Sequence, residues 1–263
     1  MDEDVTWLCL AAGQGSRLRP ITNHRPKAMV SVADRPLVDW ITDTARHVGI
    51  DDLVVVTGYR GEMLETHLDG DIRTFENPVY DSTDMVHSLW RAEAALEGPV
   101  VVSYGDILYT PPVLERVLNS SHDVAVAVDE DWQSYWERRH EDPLEDAESL
   151  ALGANDRITS IGQPVDSMRA PEAQYVGLIG FSGTGLDQFR AAYSDAEASA
   201  ERSVGAERRS FETLHLTDLF QRVVDRGGDI HAKASRATGS RSTRHAISNS
   251  LGRPVVPQAT AHL

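Results

Sequence analysis

Short apolar runs rich in β-branched residues recur along the first half of the chain. They occupy residues 5–11, 53–56, 100–102 and 124–128. A continuous apolar run, in place of strict alternation with polar residues, is typical of strands that are covered on both faces. The runs therefore predict a mostly parallel β-sheet with helices on both sides.

Apolar residues with helical spacing lie between these runs. Each of two sets recurs at intervals of three to four residues, which places its members on one helix face. The members are Leu37, Ile41, Ala45 and Val48, and Met85, Leu89, Ala92 and Leu96. Alternating strands and helices predict a doubly wound, Rossmann-like α/β fold, in which ligands bind beyond the carboxyl ends of the strands.

The second half of the chain is less regular. An acidic and aromatic stretch covers residues 129–150, a strand is predicted over residues 174–182, and a helix is predicted around residues 216–223. We expect one domain over residues 1–230 that includes a small subregion from this half.

The net charge limits the partners of the protein. The formal charge is -16 at pH 7, which opposes binding to nucleic acid or to anionic membranes. Because the first residues are acidic and no apolar stretch has the length of a membrane span, we expect a cytoplasmic protein. Cys9 is the only cysteine, which excludes an internal disulfide and a thiolate cluster.

A glycine-rich loop follows the first predicted strand. It begins Leu10-Ala-Ala-Gly-Gln-Gly-Ser-Arg and continues to Pro26-Lys27. Small residues let backbone N–H groups approach phosphates, and Arg17 and Lys27 supply positive charge. A P-loop would need Gly-Lys-Ser/Thr, and a dinucleotide fingerprint would need a third glycine at Leu18. An ordinary βα turn is the alternative, but it would explain the glycines without the two cations.

Together with further motifs, this opening resembles the sugar-phosphate nucleotidyltransferase superfamily. The similarity covers roughly residues 5–230 and is to the branch that contains phosphocholine and phosphonate cytidylyltransferases. The motifs beyond the loop are Ala28-Met-Val-Ser-Val, Pro36-Leu-Val-Asp-Trp, Thr57-Gly-Tyr, Asn77-Pro-Val-Tyr, Thr83-Asp-Met-Val-His-Ser-Leu-Trp, Ser103-Tyr-Gly-Asp-Ile, Asp142-Pro-Leu-Glu-Asp-Ala-Glu-Ser and Gln174-Tyr-Val-Gly-Leu-Ile.

The resemblance implies a Mg²⁺-dependent enzyme that transfers a nucleoside monophosphate, CMP from CTP, to a small phosphorylated acceptor and releases pyrophosphate. The acceptor would be phosphocholine, a phosphonate or a sugar phosphate. Arg17 is expected on the β- and γ-phosphates, and Lys27 on the α-phosphate and the attacking oxygen. That oxygen is already anionic, so its in-line attack needs positioning and charge neutralisation but no general base.

Other interpretations stay open. A sugar-1-phosphate thymidylyl- or uridylyltransferase would consume a different NTP. A catalytically silent homologue would bind NTP without releasing pyrophosphate, and a nicotinamide oxidoreductase would bind a dinucleotide. The sequence also allows a homodimer.

Asp106 is the leading candidate for a metal ligand. It follows the apolar run over residues 100–102, at the carboxyl end of a predicted strand, where a hard carboxylate can hold Mg²⁺ against the α-phosphate. An aspartate that merely terminates a strand is the alternative.

The resemblance also implies a set of nucleotide-binding residues at the ends of the first strands. The sequence differs from the branch pattern at Asp84, where asparagine is expected, and at His87, where tyrosine is usual. Capping of a helix is the alternative role for Thr83. The nucleotide-binding candidates are Leu10, Ala11, Ala12, Gly13, Gln14, Gly15, Ser16, Arg17, Gly58, Tyr59, Asn77, Thr83, Asp84, Ser88 and Gly105.

Four residues of the second half are candidates for binding the acceptor. Trp132 and Trp136 lie among acidic residues, a mixture that can surround a cationic head group. A small packing cluster is the equal alternative. Glu148 and Tyr175 lie in segments that resemble the branch, and a solvated carboxylate is the alternative for Glu148.

The last residues differ from the rest in composition. Every one of the 41 acidic residues lies at or before Asp229, which makes residues 231–263 an atypical basic tail. The branch closes with Trp-x-Glu-Ile-Asp-Thr-x-x-Asp-Leu, whose aspartate supplies a second Mg²⁺ contact. Residues 238–248, back-translated and moved by one frame, can encode that motif, so we hypothesise a frame shift near residues 232–237. A natural disordered tail is the alternative.

Overall fold

The computed structural model of the protein describes residues 4–133, 148–165, 171–201, 211–235 and 247–249. Its strands are β1 (Thr6–Leu10), β2 (Ser31–Val32), β3 (Arg35–Pro36), β4 (Asp52–Thr57), β5 (Arg73–Glu76), β6 (Val100–Tyr104), β7 (Ile107–Tyr109), β8 (Val124–Asp129), β9 (Glu148–Leu152), β10 (Ile158–Pro164), β11 (Gln174–Phe181), β12 (His231–Ala234) and β13 (Ile247–Asn249). Its helices are α1 (Leu37–His47), α2 (Gly61–His67), α3 (Met85–Arg91), α4 (Pro111–Leu118), α5 (Gly185–Glu201) and α6 (Leu216–Asp225).

A central sheet of seven strands organises the molecule, in the order β12-β8-β11-β6-β1-β4-β5. β1 lies in parallel between β4 and β6, β5 pairs in parallel with β4, and β12 with β8. Only β11 among these strands runs antiparallel to its neighbours. Among the described residues, the β9–β10 hairpin precedes β11 along the chain. The predicted mostly parallel α/β fold is confirmed.

Apolar side chains from both faces of the sheet enter separate cores. One core includes residues of α3, α5 and α6, and the other includes residues of α1, α2 and α4. Each helix turns one apolar face inward, as Val38, Ile41 and Ala45 do in α1. This double covering explains why β1 and β4 have no alternation of polar and apolar residues.

The predicted helix over residues 85–96 is shorter in the structure. α3 ends at Arg91, and Ala92 leaves helical conformation with φ -100° and ψ 26°. A 3-10 turn over Glu93–Ala95 follows and keeps Leu96 in the core. The apolar spacing is therefore shared by two short elements, which periodicity alone cannot separate.

Strand β12 carries the folded domain past residue 230, the boundary expected from the sequence. Its residues pair with β8 from His231 opposite Ala125 to Ala234 opposite Val128. Nη1 of Arg116 also donates to the carbonyl oxygen of Ala234 at 3.0 Å. The first residues of the expected tail therefore belong to the sheet.

Beyond β12, the described chain resumes only at β13, which pairs antiparallel with β7. Within the described residues, no helix combines the length and the apolar character needed to cross a membrane. The cytoplasmic location stays a prediction.

Candidate active site

The loops after β1, β4 and β6 meet at the carboxyl edge of the sheet. The backbone N–H of Tyr59, after β4, donates to the carbonyl oxygen of Ala12 at 2.9 Å. The N–H of Gly105, after β6, donates to the carbonyl oxygen of Leu10 at 3.0 Å. The glycine-rich loop therefore starts between two fixed segments, at the position where doubly wound sheets bind ligands.

Two predicted glycines are required by close backbone contacts in this region. A Cβ on Gly58 would lie 2.8 Å from the carbonyl oxygen of Ala12, and a Cβ on Gly105 would lie 2.9 Å from that of Leu10. Both distances are too short for any side chain. These glycines consequently let the three loops pack against one another.

The loop glycines have different roles. A Cβ on Gly13 would meet no atom within 4 Å, so this part of the loop borders open space. Gly15 has a φ of 61°, and its Cα faces the side-chain stem of Lys27, 3.0 Å from the position of a Cβ. The hydroxyl of Thr22 closes the loop by donating to the carbonyl oxygen of Gly15 at 2.8 Å. Backbone and lysine are thus held together beside this open space.

Lys27 and Asp106 form an ion pair at the edge of this space. Their side chains are 31% and 28% exposed, so both remain open to a ligand. Asp106 occupies the tight turn between β6 and β7. Arg17 lies exposed on the 3-10 turn Ser16–Leu18 that follows Gly15. The structure therefore brings Lys27 and Asp106 together, as the sequence predicts, and places Arg17 on the same loop.

The other nucleotide-binding candidates of the loop differ in how far their side chains are exposed to solvent. Leu10, Ala11 and Ala12 are buried, so only their backbones can serve a ligand. Gln14 accepts a hydrogen bond from Nη2 of Arg19 at 3.0 Å on the outside of the loop. Ser16 is exposed at the start of the 3-10 turn.

Asn77 is fully buried and uses its carboxamide inside the protein. Nδ2 donates to the hydroxyls of Thr83 at 3.1 Å and Ser88 at 3.0 Å. Its Oδ1 accepts from the N–H of Val79 at 3.2 Å. These bonds fix the segment between β5 and α3, so the side chain of Asn77 holds the loop in place and does not point to open space. A nucleotide role for Ser88 and Thr83 stays a prediction.

Tyr59 lines the outer rim beside this segment. Its hydroxyl donates to the carbonyl oxygen of Asn23 at 2.8 Å, and its ring meets the ring of Tyr80 edge to face at 5.9 Å. Tyr59 therefore ties the glycine-rich loop to the segment after β5.

The two residues that depart from the branch pattern lie at the start of α3. Asp84 precedes the helix, and its N–H donates to the carbonyl oxygen of Glu212 at 3.1 Å. His87 has a buried Nδ1 without a hydrogen-bond partner among the described residues. Burial lowers the pKa of His87, and the nearby Arg91 lowers it further. A neutral imidazole is therefore favoured at this position.

Tyr104 is a site residue that the sequence analysis missed. Burial raises the pKa of its hydroxyl, the neighbouring Tyr175 hydroxyl lowers it in part, and the carboxylates of Glu148, Asp106 and Asp84 raise it further. The charges of three carboxylates from different segments thus act on one aromatic residue. Its position directly before Gly105 is the only sequence signal that marks it.

The acceptor candidates Tyr175 and Glu148 lie on the same side as Tyr104. The ring of Tyr175 meets Tyr104 and Phe220 edge to face, each at 5.7 Å. Its hydroxyl is buried and makes no well-formed hydrogen bond within the described residues. Nε2 of Gln174 donates to the carbonyl oxygen of Glu148 at 2.7 Å, which joins the start of β9 to β11. Tyr175 and Glu148 therefore border the Asp106 side of the site.

The structure describes only one of the two tryptophans that are candidates for binding the acceptor. Trp132 is 1% exposed, which favours the packing alternative over a wall of an open cation site. Trp136 lies outside the described residues.

Comparison with known proteins identifies the family. Residues 7–198 match the model of the MobA-like NTP transferase domain. The chain belongs to this family. CTP:phosphoglutamine cytidylyltransferase of Campylobacter jejuni is 32% identical to this NTP transferase over 233 residues, which are 86% of this chain and 90% of that protein.

Two further similarities bear on the fold and on the nucleotide. UTP–glucose-1-phosphate uridylyltransferase of Haloferax volcanii is 32% identical over 131 residues, which are 47% of this chain and 54% of that protein. The solved structure of CTP:phosphocholine cytidylyltransferase from Streptococcus pneumoniae superposes with a TM-score of 0.67 at 17% identity, and the match covers 93% of this chain and 92% of that one. The structural match confirms the fold of this NTP transferase.

Proposed function

We propose that the protein transfers CMP from CTP to a small phosphorylated acceptor and releases pyrophosphate. The Lys27–Asp106 pair beside the glycine-rich loop carries the proposal. It unites an anion-binding loop, a cation for phosphate and a carboxylate for a divalent metal at one edge of the sheet. The family supports nucleotide transfer, and the relative from Campylobacter jejuni supports CTP as the nucleotide.

The chain holds its substrates by charge and by position. The loop backbone around Gly13 binds the triphosphate, and Arg17 neutralises its β- and γ-phosphates. Lys27 contacts the α-phosphate and the attacking oxygen of the acceptor. Because this oxygen carries its own negative charge, the residues must orient it in line and offset the repulsion between two anions.

Mg²⁺ is the cofactor in this proposal, and Asp106 is the residue that would hold it. Among the described residues, no group of three or more His, Cys, Asp or Glu side chains is arranged to hold a metal alone. One carboxylate suits Mg²⁺ nevertheless, since this ion is usually bound by one or two carboxylates together with substrate phosphates and water. When bound, it polarises the α-phosphate and neutralises the pyrophosphate that leaves.

The acceptor binds on the side of Glu148 and Tyr175. The buried Tyr175 hydroxyl can donate a hydrogen bond, and Glu148 can accept one or attract a cation. Phosphocholine, a phosphonate and a sugar phosphate are all compatible with these groups.

A second candidate function is uridylyl transfer to a sugar phosphate. The match to the uridylyltransferase of Haloferax volcanii favours it, although that match covers under half of this chain. The identity of the NTP that is consumed separates the two candidates.

Pyrophosphate release tests the proposal directly. It is measured with CTP, UTP, dTTP and ATP against phosphocholine, aminoalkyl phosphonates and sugar phosphates, with and without Mg²⁺. We expect CTP to be preferred, and Asp106→Ala to be inactive. Binding of CTP without pyrophosphate release from any pair would identify a silent homologue, and full turnover by Asp106→Ala would disprove the metal assignment.

A further inference from the structure

Gly177 lies in a β-bulge directly against the ring of Tyr104. The pairing of β11 with β8 shifts register between Tyr175 and Ile179, and Gly177 within this stretch has a φ of 87°. Residues with a side chain avoid this conformation. A Cβ on Gly177 would also lie 2.5 Å from Cδ2 of Tyr104. Only glycine therefore leaves room for the ring, and bulges next to active sites often redirect a side chain in this way.

Tyr104 is also held from a second side and leads directly into the Asp106 turn. Its ring meets Tyr175 edge to face at 5.7 Å. The next residue, Gly105, is fixed on β1 by the hydrogen bond to Leu10 and by the absence of space for a Cβ. Ring and backbone are thus both immobilised immediately before Asp106.

We propose that Tyr104, seated on Gly177, is a positioning residue that sets the direction of the Asp106 carboxylate toward Lys27 and the α-phosphate. The kinetic part of this inference rests on the proposed function. Gly15 comes from another segment of the chain, so we expect a disturbance of the bulge to act mainly on Asp106 and the metal side of the site.

Gly177→Ala tests this inference, and Gly180→Ala is its matched control. Gly180 lies on the same strand opposite Val101, far from Asp106, and a Cβ there would lie 2.6 Å from Cγ1 of Val117. Both variants force a neighbouring side chain to move, so both should lose thermal stability. Only Gly177→Ala should disturb Asp106.

Two measurements separate positioning from a general structural loss. We expect Gly177→Ala to lower kcat about tenfold or more with a KM for CTP within about twofold of the unaltered protein. We also expect it to weaken Mn²⁺ binding about tenfold in the presence of a non-hydrolysable CTP analogue. Equal effects from both variants, weaker CTP binding at unchanged Mn²⁺ affinity, or no Mn²⁺ binding by the unaltered protein would overturn the inference.

Substitutions of Tyr104 keep the test decisive if Gly177→Ala does not fold. Tyr104→Phe retains the ring and should keep kcat and Mn²⁺ affinity within about twofold, whereas Tyr104→Leu should lose about tenfold in both. The double variant Tyr104→Leu/Gly177→Ala, where it folds, should show less than the combined loss, because the smaller side chain makes room for the new methyl group. Equal behaviour of the Phe and Leu variants contradicts positioning by the ring. If the unaltered protein releases no pyrophosphate, the proposed function fails, and the Mn²⁺ affinities still decide this inference.

Discussion

At the scale of single residues, the Lys27–Asp106 ion pair is the centre of the site. It joins two segments 79 residues apart. In the proposed function, Lys27 would contact phosphate and Asp106 would hold the metal, so each partner would gain a new counter-charge when the substrate binds.

Removal of the lysine cation should abolish most of the activity. We expect Lys27→Met to lower kcat/KM for pyrophosphate release about 100-fold or more, because the positive charge assigned to the α-phosphate and the attacking anion is then lost. Lys233→Met is the matched control, since Lys233 is the only other lysine and lies on the edge strand β12. Turnover that survives in Lys27→Met at the level of the control would remove Lys27 from the mechanism.

Asn77 should act mainly on stability. Asn77→Ala removes three side-chain hydrogen bonds from a fully buried position. We expect the free energy of unfolding in urea to fall by about 2 kcal/mol. If Asn77 instead reads the base, the variant will raise the KM for CTP while its unfolding midpoint stays unchanged.

The sequence predicts the charged residues of the site better than the residues that support them. Lys27 follows the glycine-rich loop and Asp106 follows Gly105 at the end of β6, and both positions are local signals. The contact between Tyr104 and Gly177 joins strands that lie far apart in sequence, and the burial of Asn77 depends on α3. Contacts between residues that are distant in sequence leave no local sequence pattern, so only the folded structure reveals them.

At the scale of elements, the β8–β12 edge contains a pair of stacked histidines. The rings of His122 and His231 lie 3.4 Å apart between centroids with planes 7° from parallel. Burial lowers the pKa of His122, and His231 and Lys233 lower it further, against an opposing effect of Asp229 and Asp123. The folded edge therefore resists protonation of His122 more than the unfolded chain does.

This resistance predicts a pH dependence of stability. Above the ordinary histidine pKa of about 6.5, neither state is protonated and the effect is absent. As the pH falls through that value toward the lower folded pKa, the unfolded state takes up the proton first and stability decreases. His122→Gln should reduce this decrease in urea unfolding between about pH 7 and pH 5, and the exposed His24→Gln should not. Identical pH profiles for the two variants would contradict this origin.

Strand positions were predictable and strand directions only in part. β1, β4, β6 and β8 agree with the apolar runs to within one or two residues, because burial on both faces leaves a continuous signal. The antiparallel direction of β11 and its bulge appear in its pairing with β6 and β8, which are distant in sequence. The end of α3 at Arg91 was not predictable either, because the 3-10 turn that follows keeps the apolar residues up to Leu96 buried.

At the scale of the whole molecule, the net negative charge of the protein repels the anionic substrate of the proposed reaction. The chain carries a formal charge of -16, so a triphosphate meets long-range repulsion and local attraction at Lys27 and Arg17. The Debye length is about 10 Å at 0.1 M salt, so salt screens the long-range repulsion more strongly than the attraction at Lys27 and Arg17. The expected absence of nucleic-acid and membrane partners and the homodimer stay predictions.

The carboxyl-terminal residues give the last test of how the molecule is built. Sheet pairing and burial continue normally through β12 to Ser235, whose N–H donates to the carbonyl oxygen of Val128 at 2.8 Å. The composition change at Asp229 therefore does not coincide with the end of the sheet. If the frame shifts, these contacts favour a shift after Ser235, within the last part of the hypothesised interval.

Strand β13 lies beside β7, the strand that follows the Asp106 turn. β13 pairs with β7 up to Asn249 opposite Ile107, the residue next to Asp106. A chain restored to the other frame would carry the implied aspartate in the segment between β12 and β13, which lies outside the described residues. We expect resequencing of the gene to reveal an insertion or deletion between codons 235 and 237. The corrected protein should then bind Mn²⁺ about tenfold more tightly with a CTP analogue than the chain that carries the basic tail over residues 236–263. An unbroken frame, or equal affinities of the two chains, would leave Asp106 as the sole carboxylate proposed for the metal.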